Sequence, residues 1–295
     1  MKSGFISLIG RTNVGKSTLI NQLVNHKIAI TSNKPQTTRN IIQGVYNDAD
    51  CQIVFVDTPG IHKPQNKLGK VLNKQASSLI SDVDAVLFLI DASEALGHGD
   101  RFVMEKLKNS EVPVILVLNK IDKISDEQLF LKINEYKDLI PFADIVPVSA
   151  LNRDNIDRLI TVIKKYLVDE TRYFEEGIVT SNSNYFMVSE FVREKLMNHM
   201  NEEIPHSIAC VTTRFEEKKG IAEILVEIIV DRDSLKKIVI GKSGQVLKTV
   251  GSEARQDMEE LLGKKVFLEL YVKTIKDWRD KEKYLKELGY EEYNK

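Results

Sequence analysis

The chain has 295 residues, 42% of them hydrophobic and 29% charged, with a formal net charge of −1. That is enough for about two domains with real cores, and it excludes a global field that would draw the whole protein onto nucleic acid or membrane, so any such binding must use a local patch. The two cysteines, Cys51 and Cys210, lie far apart and make no disulfide framework, and the pair His206 and Cys210 lacks the further ligands a zinc site needs; reduced cytosolic thiols are expected.

Met1–Gly4 leads at once into an apolar run, Phe5–Ile9, and no stretch of transmembrane length follows, so a cytoplasmic protein without a signal peptide is expected. The run ends in Gly10-Arg11-Thr12-Asn13-Val14-Gly15-Lys16-Ser17, and an amphipathic segment, Ser17–Val24, leads out. Strand, glycine loop, helix is the context a phosphate-binding P-loop needs. Gly10 and Gly15 let consecutive N–H groups turn inward, and the helix adds the positive end of its dipole. Lys16 can reach β- and γ-phosphates and the Ser17 hydroxyl can take a Mg2+ position. Gly10, Arg11, Thr12, Asn13, Val14, Gly15, Lys16, Ser17 and Thr18 are together expected to cradle a nucleotide.

Lys27–Arg39 is polar, contains Pro35 and has neither helical nor strand period, which predicts a mobile loop. Ile41–Tyr46 and Gln52–Val56 read as strands joined by a turn at 47–50. The second ends in Asp57-Thr58-Pro59-Gly60, where Asp57 would face the P-loop Mg2+ and Gly60 would offer a backbone N–H to a γ-phosphate. Apolar runs at Ala85–Ile90, Val114–Leu118 and Ile145–Val148 then alternate with helical patterns at Phe102–Leu107, Ser125–Leu139 and Ile156–Leu167; Ser125 and Gln128 have capping-box spacing. This alternation predicts a parallel-dominated sheet with ligand groups at the carboxyl ends of its strands. The P-loop, Asp57, Asn119 and Ser149 each follow a predicted strand. In Asn119-Lys120-x-Asp122, the Asp122 carboxylate can accept from guanine N1–H and its exocyclic amine, a donor pair that adenine lacks. Lys120 can lie over the purine, Asn119 can tie the base loop to the P-loop, and Ser149-Ala150 would offer N–H groups near guanine O6.

Glu170–Asn184 breaks the pattern and predicts a domain boundary, with domains at 1–172 and 185–295 and a linker at 173–184. Beyond it come a helix (Tyr185–Met200), strands (Ser207–Phe215 and Ala222–Val230), a helix (Ser234–Ile240), the loop Gly241-Lys242-Ser243-Gly244, a helix to about Leu262 and a strand from Lys265 to Tyr271. A last amphipathic helix is expected over Asp277–Tyr290, with Trp278, Tyr284 and Leu285 on its apolar side. Alone, Gly-x-x-Gly is a weak signal that a plain helix–helix turn would explain. Here Lys236, Lys237, Lys242 and Lys248 surround it, apolar residues including Ile240 flank it, and the element order resembles that of a type II KH domain, whose loop would clamp the backbone of about four nucleotides. Lys236, Lys237, Ile240, Gly241, Lys242, Ser243, Gly244 and Lys248 are the candidate RNA-binding set. The acidic stretch Glu253–Glu260 reads as a solvated helix face.

At these residues the chain resembles a translation-factor-type GTPase. The spacing from P-loop to Asn119-Lys120-x-Asp122, with Thr37-Thr38-Arg39 between, narrows the resemblance to the Era family. Lys236–Tyr271, including Ala254-Arg255-x-Asp257-Met258-Glu259 and Val266-Phe267-Leu268, is similar to the Era C-terminal domain, so the resemblance covers nearly the whole chain. It implies a Ras-like α/β GTPase domain followed by a smaller α+β type II KH domain. By that resemblance Thr38, preferred over its neighbour Thr37, is the switch-I threonine that closes on Mg2+ and the γ-phosphate. Mg2+ is then held by Ser17, Thr38 and Asp57; Lys16 and Gly60 complete the catalytic set, and Asn13 helps hold a K+. Ile61 stands where Ras-like enzymes carry a water-orienting glutamine, so slow hydrolysis, stimulated by RNA, is expected. The resemblance further implies binding to the 3′ region of small-subunit ribosomal RNA, a role in small-subunit assembly, a monomer, and weak peripheral contact with the inner face of the cell membrane. The competing reading is an RNA-binding module whose first domain senses nucleotide with negligible turnover. A metabolic P-loop kinase is disfavoured because the pocket is devoted to guanine.

Overall fold

The computed structural model describes residues 1–60, 64, 66–78 and 82–290; Ile61 lies outside them. The first part of the chain runs β1 (Lys2–Ile9), α1 (Lys16–Val24), β2 (Ile42–Asn47), β3 (Cys51–Asp57), α2 (Lys67–Ser78), β4 (Ala85–Asp91), α3 (His98–Leu107), β5 (Val114–Asn119), α4 (Asp126–Tyr136), β6 (Asp144–Pro147) and α5 (Ile156–Ile163). Six strands form one sheet in the order β2-β3-β1-β4-β5-β6. All neighbours run parallel except β2, which lies antiparallel on β3 at the outer edge. β3, β4 and β5 are buried along their whole length, which is why their sequences are nearly continuous apolar runs. Alternate residues of β4 face opposite cores: Leu87 and Leu89 pack with Leu19, Ile20 and Leu159 of α1 and α5, while Val86 and Phe88 pack with Val103 and Tyr136 of α3 and α4. The predicted capping box forms, with the Gln128 N–H donating to Ser125 Oγ at 3.3 Å and the Ser125 N–H to Gln128 Oε1 at 3.0 Å.

The second part runs α6 (Asn184–His199), β7 (Ala209–Lys218), β8 (Ile221–Val230), α7 (Asp233–Ile240), α8 (Gln245–Leu262), β9 (Lys265–Thr274) and α9 (Glu282–Glu287). Its three-stranded sheet, β7-β8-β9, is antiparallel between β7 and β8 and parallel between β8 and β9. Phe191, Leu196, Ile224, Val226, Val250 and Met258 lie in its core. Among the described residues no helix is long and apolar enough to cross a membrane.

Three expectations need correction, two of them because distant parts of the chain meet. Residues 27–39 form no helix or strand, but the segment is tied down. Ile30 is buried in the second core, the Thr31 N–H donates to Glu194 at 2.8 Å, and the Arg39 guanidinium, 1% exposed, donates to the carbonyls of Pro205 (3.0 Å), His206 (3.3 Å) and Ile208. The expected linker at 173–184 runs along the free edge of β2 without ceasing to be the connecting segment: the Val45 N–H donates to Val179 O at 2.9 Å and Thr180 Oγ1 to Gln43 O at 2.7 Å. The acidic stretch on α8 is paired rather than simply solvated: Asp257 meets Lys27 at 2.7 Å and Lys195 at 2.6 Å, and Glu253 meets His199 at 2.9 Å. The last helix is broken. Asp277 takes a left-handed backbone, a short turn covers Trp278–Asp280, and Lys281 is extended before α9 begins. Trp278 and Leu285 still turn inward, against Leu68 and Leu72 of α2.

Candidate nucleotide cleft and nucleic-acid loop

The loop between β1 and α1 wraps backbone around a cleft of about 280 Å³ at the carboxyl ends of the strands, lined in part by Thr12, Asn13, Gly15, Lys16, Ser17, Thr18, Thr38, Gly60 and Lys120. Two glycines are required by space. Gly15 has φ +97°, and a Cβ there would lie 2.3 Å from Asn119 Nδ2. A Cβ on Gly60 would come within 3.0 Å of the Thr12 Cα, so the loop after β3 lies directly on the P-loop. Lys16 is buried, with Nζ 3.5 Å from the Gly10 carbonyl oxygen and 3.4 Å from that of Arg11. For Arg11 and Val14 the contribution to the cleft is left to the backbone: the Arg11 side chain pairs with Glu94 and, at 3.2 Å, with Asp100, and the Val14 side chain is in the core.

Three oxygens converge beneath the loop. Ser17 Oγ lies 2.7 Å from Thr38 Oγ1 and 2.9 Å from Asp57 Oδ2, and Thr38 Oγ1 donates to Asp57 Oδ2 at 3.2 Å. Asp57 is fully buried, and its Oδ1 has no hydrogen-bond partner. Burial pushes the Asp57 carboxyl up from its ordinary range, against the pull of Lys16, Ser17 and Thr38; it pushes the Lys16 ammonium down, against the pull of Asp57. A carboxylate with a free buried oxygen beside two hydroxyls is an incomplete hard-oxygen set, and a cation of the Mg2+ class, which takes few protein ligands and keeps its phosphates and waters, fits it.

On the far side, Asn119 Nδ2 donates to Val14 O at 2.8 Å, and the Ala150 N–H donates to Asn119 Oδ1 at 3.0 Å, so Asn119 does tie the base loop to the P-loop. Lys120 Nζ reaches Asn13 O at 2.7 Å and Asp91 at 2.7 Å. Asp122 is exposed and accepts from Ser149 Oγ. The N–H groups of Ser149 and Ala150 are engaged within the protein, with Asp154 O at 3.2 Å and Asn119 Oδ1, rather than open to a base. Sequence reasoning missed Asp91, which anchors Lys120; its position at the carboxyl end of β4 was the available signal. It also missed Asn33, whose carbonyl accepts from Asn13 Nδ2 at 2.9 Å.

Gly241–Gly244 joins α7 to α8 as predicted. Gly241, Ser243 and Gly244 all have positive φ (+78°, +53° and +75°). A Cβ on Gly241 would lie 2.5 Å from Val246 Cγ2, whereas nothing lies within 4 Å of one on Gly244, so the loop presents an open backbone face there. Lys237, Lys242 and Lys248 are exposed; Lys236 and Ile240 are half-buried. Lys236 Nζ stands 5.6 Å from the ring centroid of Tyr271, an exposed aromatic on β9 absent from the predicted set.

Comparison with known proteins bears on both sites. The family model described as 50S ribosome-binding GTPase matches residues 5–120, and the KH domain model matches residues 203–279. A crystal structure of Era in complex with MgGDPNP and nucleotides 1506-1542 of 16S ribosomal RNA is 40% identical, covers 98% of this chain and 99% of its own, and superposes with a TM-score of 0.95. A single-residue variant of Aquifex aeolicus Era bound to GDP and aluminium fluoride gives 40% identity, the same coverage and a TM-score of 0.94. With a Ras-like sheet, a KH domain and this similarity running through both, the chain belongs to the Era family of GTPases.

Proposed function

We propose that the protein binds and hydrolyses GTP with Mg2+, binds the 3′ region of small-subunit ribosomal RNA, and acts in 30S subunit assembly and rRNA maturation in the cytoplasm. The observation that carries the first half is the convergence of Ser17, Thr38 and Asp57 under the P-loop, with a buried carboxylate oxygen left over. Ser17, Thr38 and Asp57 would hold the metal. Bound there, Mg2+ would neutralise charge on the β- and γ-phosphates. Lys16 leaves the loop carbonyls for those phosphates, P-loop N–H groups surround them, and the Gly60 N–H faces the γ-phosphate. This is electrostatic stabilisation by the loop backbone and by a lysine that has only to swing from the loop carbonyls to the phosphates. Asp122 reads the guanine edge, Lys120 lies along the ring, and Asn119 holds both loops in register.

Asn13 supports a K+ role. Its amide already meets the Asn33 carbonyl, and turning that amide over would present Oδ1 beside the same carbonyl as two oxygen ligands. The second domain clamps RNA backbone at Gly241–Gly244, with Lys236, Lys237, Lys242 and Lys248 around it. The Era complex with 16S ribosomal RNA supports rRNA as the partner, and the open backbone at Gly244 supports the loop as the contact. Domains at 1–172 and 185–295 with a linker at 173–184, a monomeric state and weak peripheral contact with the inner face of the cell membrane belong to the same reading.

Single-turnover hydrolysis of GTP and ATP tests it, run in K+ and in Na+, with and without an oligonucleotide of the rRNA 3′ end. The reading expects hydrolysis of GTP alone, faster in K+ and faster with RNA. Equal rates in K+ and Na+ remove the Asn13 assignment; no turnover under any condition leaves a nucleotide sensor.

A further inference from the structure

Thr38 is bracketed by the C-terminal domain. Arg193 on α6 is fully buried and donates through Nη2 to the carbonyl of Thr37. On the other side of Thr38, Arg39 docks on the carbonyls of Pro205, His206 and Ile208. Burial penalises the Arg193 charge, but Glu190, accepting from Nε at 2.7 Å and Nη2 at 2.6 Å, leads the neighbours that together more than offset it. Met197 Sδ lies 3.3 Å from Nη1, so the guanidinium has little freedom.

The Thr37 carbonyl and the Thr38 N–H belong to one planar peptide, and no peptide bond described is cis. In a trans peptide these two groups point in opposite directions. Drawing the carbonyl outward towards α6 therefore turns the Thr38 N–H inward, on the side where Thr38 Oγ1 already meets Ser17 and Asp57.

We propose that Arg193, oriented by Glu190, is a positioning residue for recognition of the nucleoside triphosphate: by holding the Thr37 carbonyl it aims the Thr38 N–H and hydroxyl at the γ-phosphate and its metal. The inference rests on the reading of Thr38 given above. It makes the first domain's discrimination of GTP from GDP depend on a side chain of the second. GDP, which has no γ-phosphate, is indifferent to it.

The test is binding of GDP and of a non-hydrolysable GTP analogue, each across a Mg2+ titration, to the full chain and two variants. Arg193→Lys keeps a cation for Glu190 but cannot hold it by two bonds and still reach Thr37. The double variant Glu190→Leu/Arg193→Met removes both buried charges together, a replacement that commonly leaves the fold intact where loss of one partner does not. In both, analogue affinity is expected to fall about tenfold, the worth of one charge-assisted hydrogen bond, with more Mg2+ needed for half-saturation and GDP affinity unchanged. An analogue-to-GDP affinity ratio unchanged in the double variant overturns the proposal. So does an equal loss for both nucleotides, the mark of a merely structural role, with melting temperature reporting the fold. Failure of the wild-type chain to bind either nucleotide would instead remove the GTPase reading itself.

Discussion

The P-loop cleft and the Gly241–Gly244 loop both offer backbone N–H groups and lysines to phosphate, yet they are built in opposite ways. In the cleft the key groups, Lys16, Thr38, Asp57 and Asn119, are all buried and share partners, and Asp57 Oδ2 serves two hydroxyls at once. In the loop the lysines stand in solvent and the backbone at Gly244 is open. A buried, interlocked site gains strength from low dielectric and loses much when one member goes. An open loop gathers many weak, screened contacts that come and go with the ligand.

That contrast can be broken most readily at Lys16. Lys16→Ala removes the buried ammonium of the P-loop, and we expect GTP and GDP affinity to fall about 100-fold; titration calorimetry giving a loss below threefold would show that the cleft is not interlocked as described. Next, Gly241→Asp with Gly244→Asp puts side chains where φ is positive and negative charge where phosphate would sit. RNA affinity should drop by more than about tenfold while GTP affinity holds, and crosslinked reads at the rRNA 3′ end should vanish. An RNA profile insensitive to the pair would assign the second domain to another partner.

A third measurement uses acidity. The Asp57 carboxyl is raised by burial, so it takes up a proton at higher pH than an ordinary carboxyl at about 3.9. The metal needs the carboxylate. Mg2+-dependent nucleotide binding should therefore be complete above the raised value and be lost as pH falls through it, starting above the ordinary carboxylate range. A decline confined to the ordinary range would mean that Asp57 is less isolated from solvent than its burial indicates. The smallest effect belongs to Lys242→Ala, which should weaken RNA binding only severalfold and lower the salt slope by about one; a loss as large as that of the glycine pair would make the loop a tight site after all.

How much could be read in advance divides along a related line. Gly10–Ser17, Asp57, Asn119–Asp122 and Gly241–Gly244 each carry a local signal, an apolar run or helix followed at once by a fixed motif, and local backbone chemistry is what a sequence displays. The cap at Ser125 was legible for the same reason. The misses are tertiary. Leu68, Val71, Leu72 and Ala76 recur at helical spacing, so α2 itself was there to be read; that Leu68 and Leu72 answer to Trp278 and Leu285 at the other end of the chain is something no local period displays. Residues 27–39 look mobile because their partners, Glu194, Arg193 and the carbonyls near 205–208, lie in another domain. Asp257 looks solvated until Lys27 is placed beside it. The engaged N–H groups of Ser149 and Ala150 depend on Asp154 and on the turn of the Asn119 side chain.

The chain holds a single tryptophan. Trp278 is fully buried, lies 6.0 Å from the Tyr290 ring, and donates its indole N–H to the Ser207 carbonyl at 2.9 Å. That carbonyl sits among the three that grip Arg39, the residue next to Thr38. A guanidinium charge from the loop that meets nucleotide is thus stationed one peptide from the only indole. Unlabelled protein carries its own optical gauge: a rearrangement that withdraws Arg39 changes the field at one fluorophore, and no second tryptophan dilutes the change in its emission.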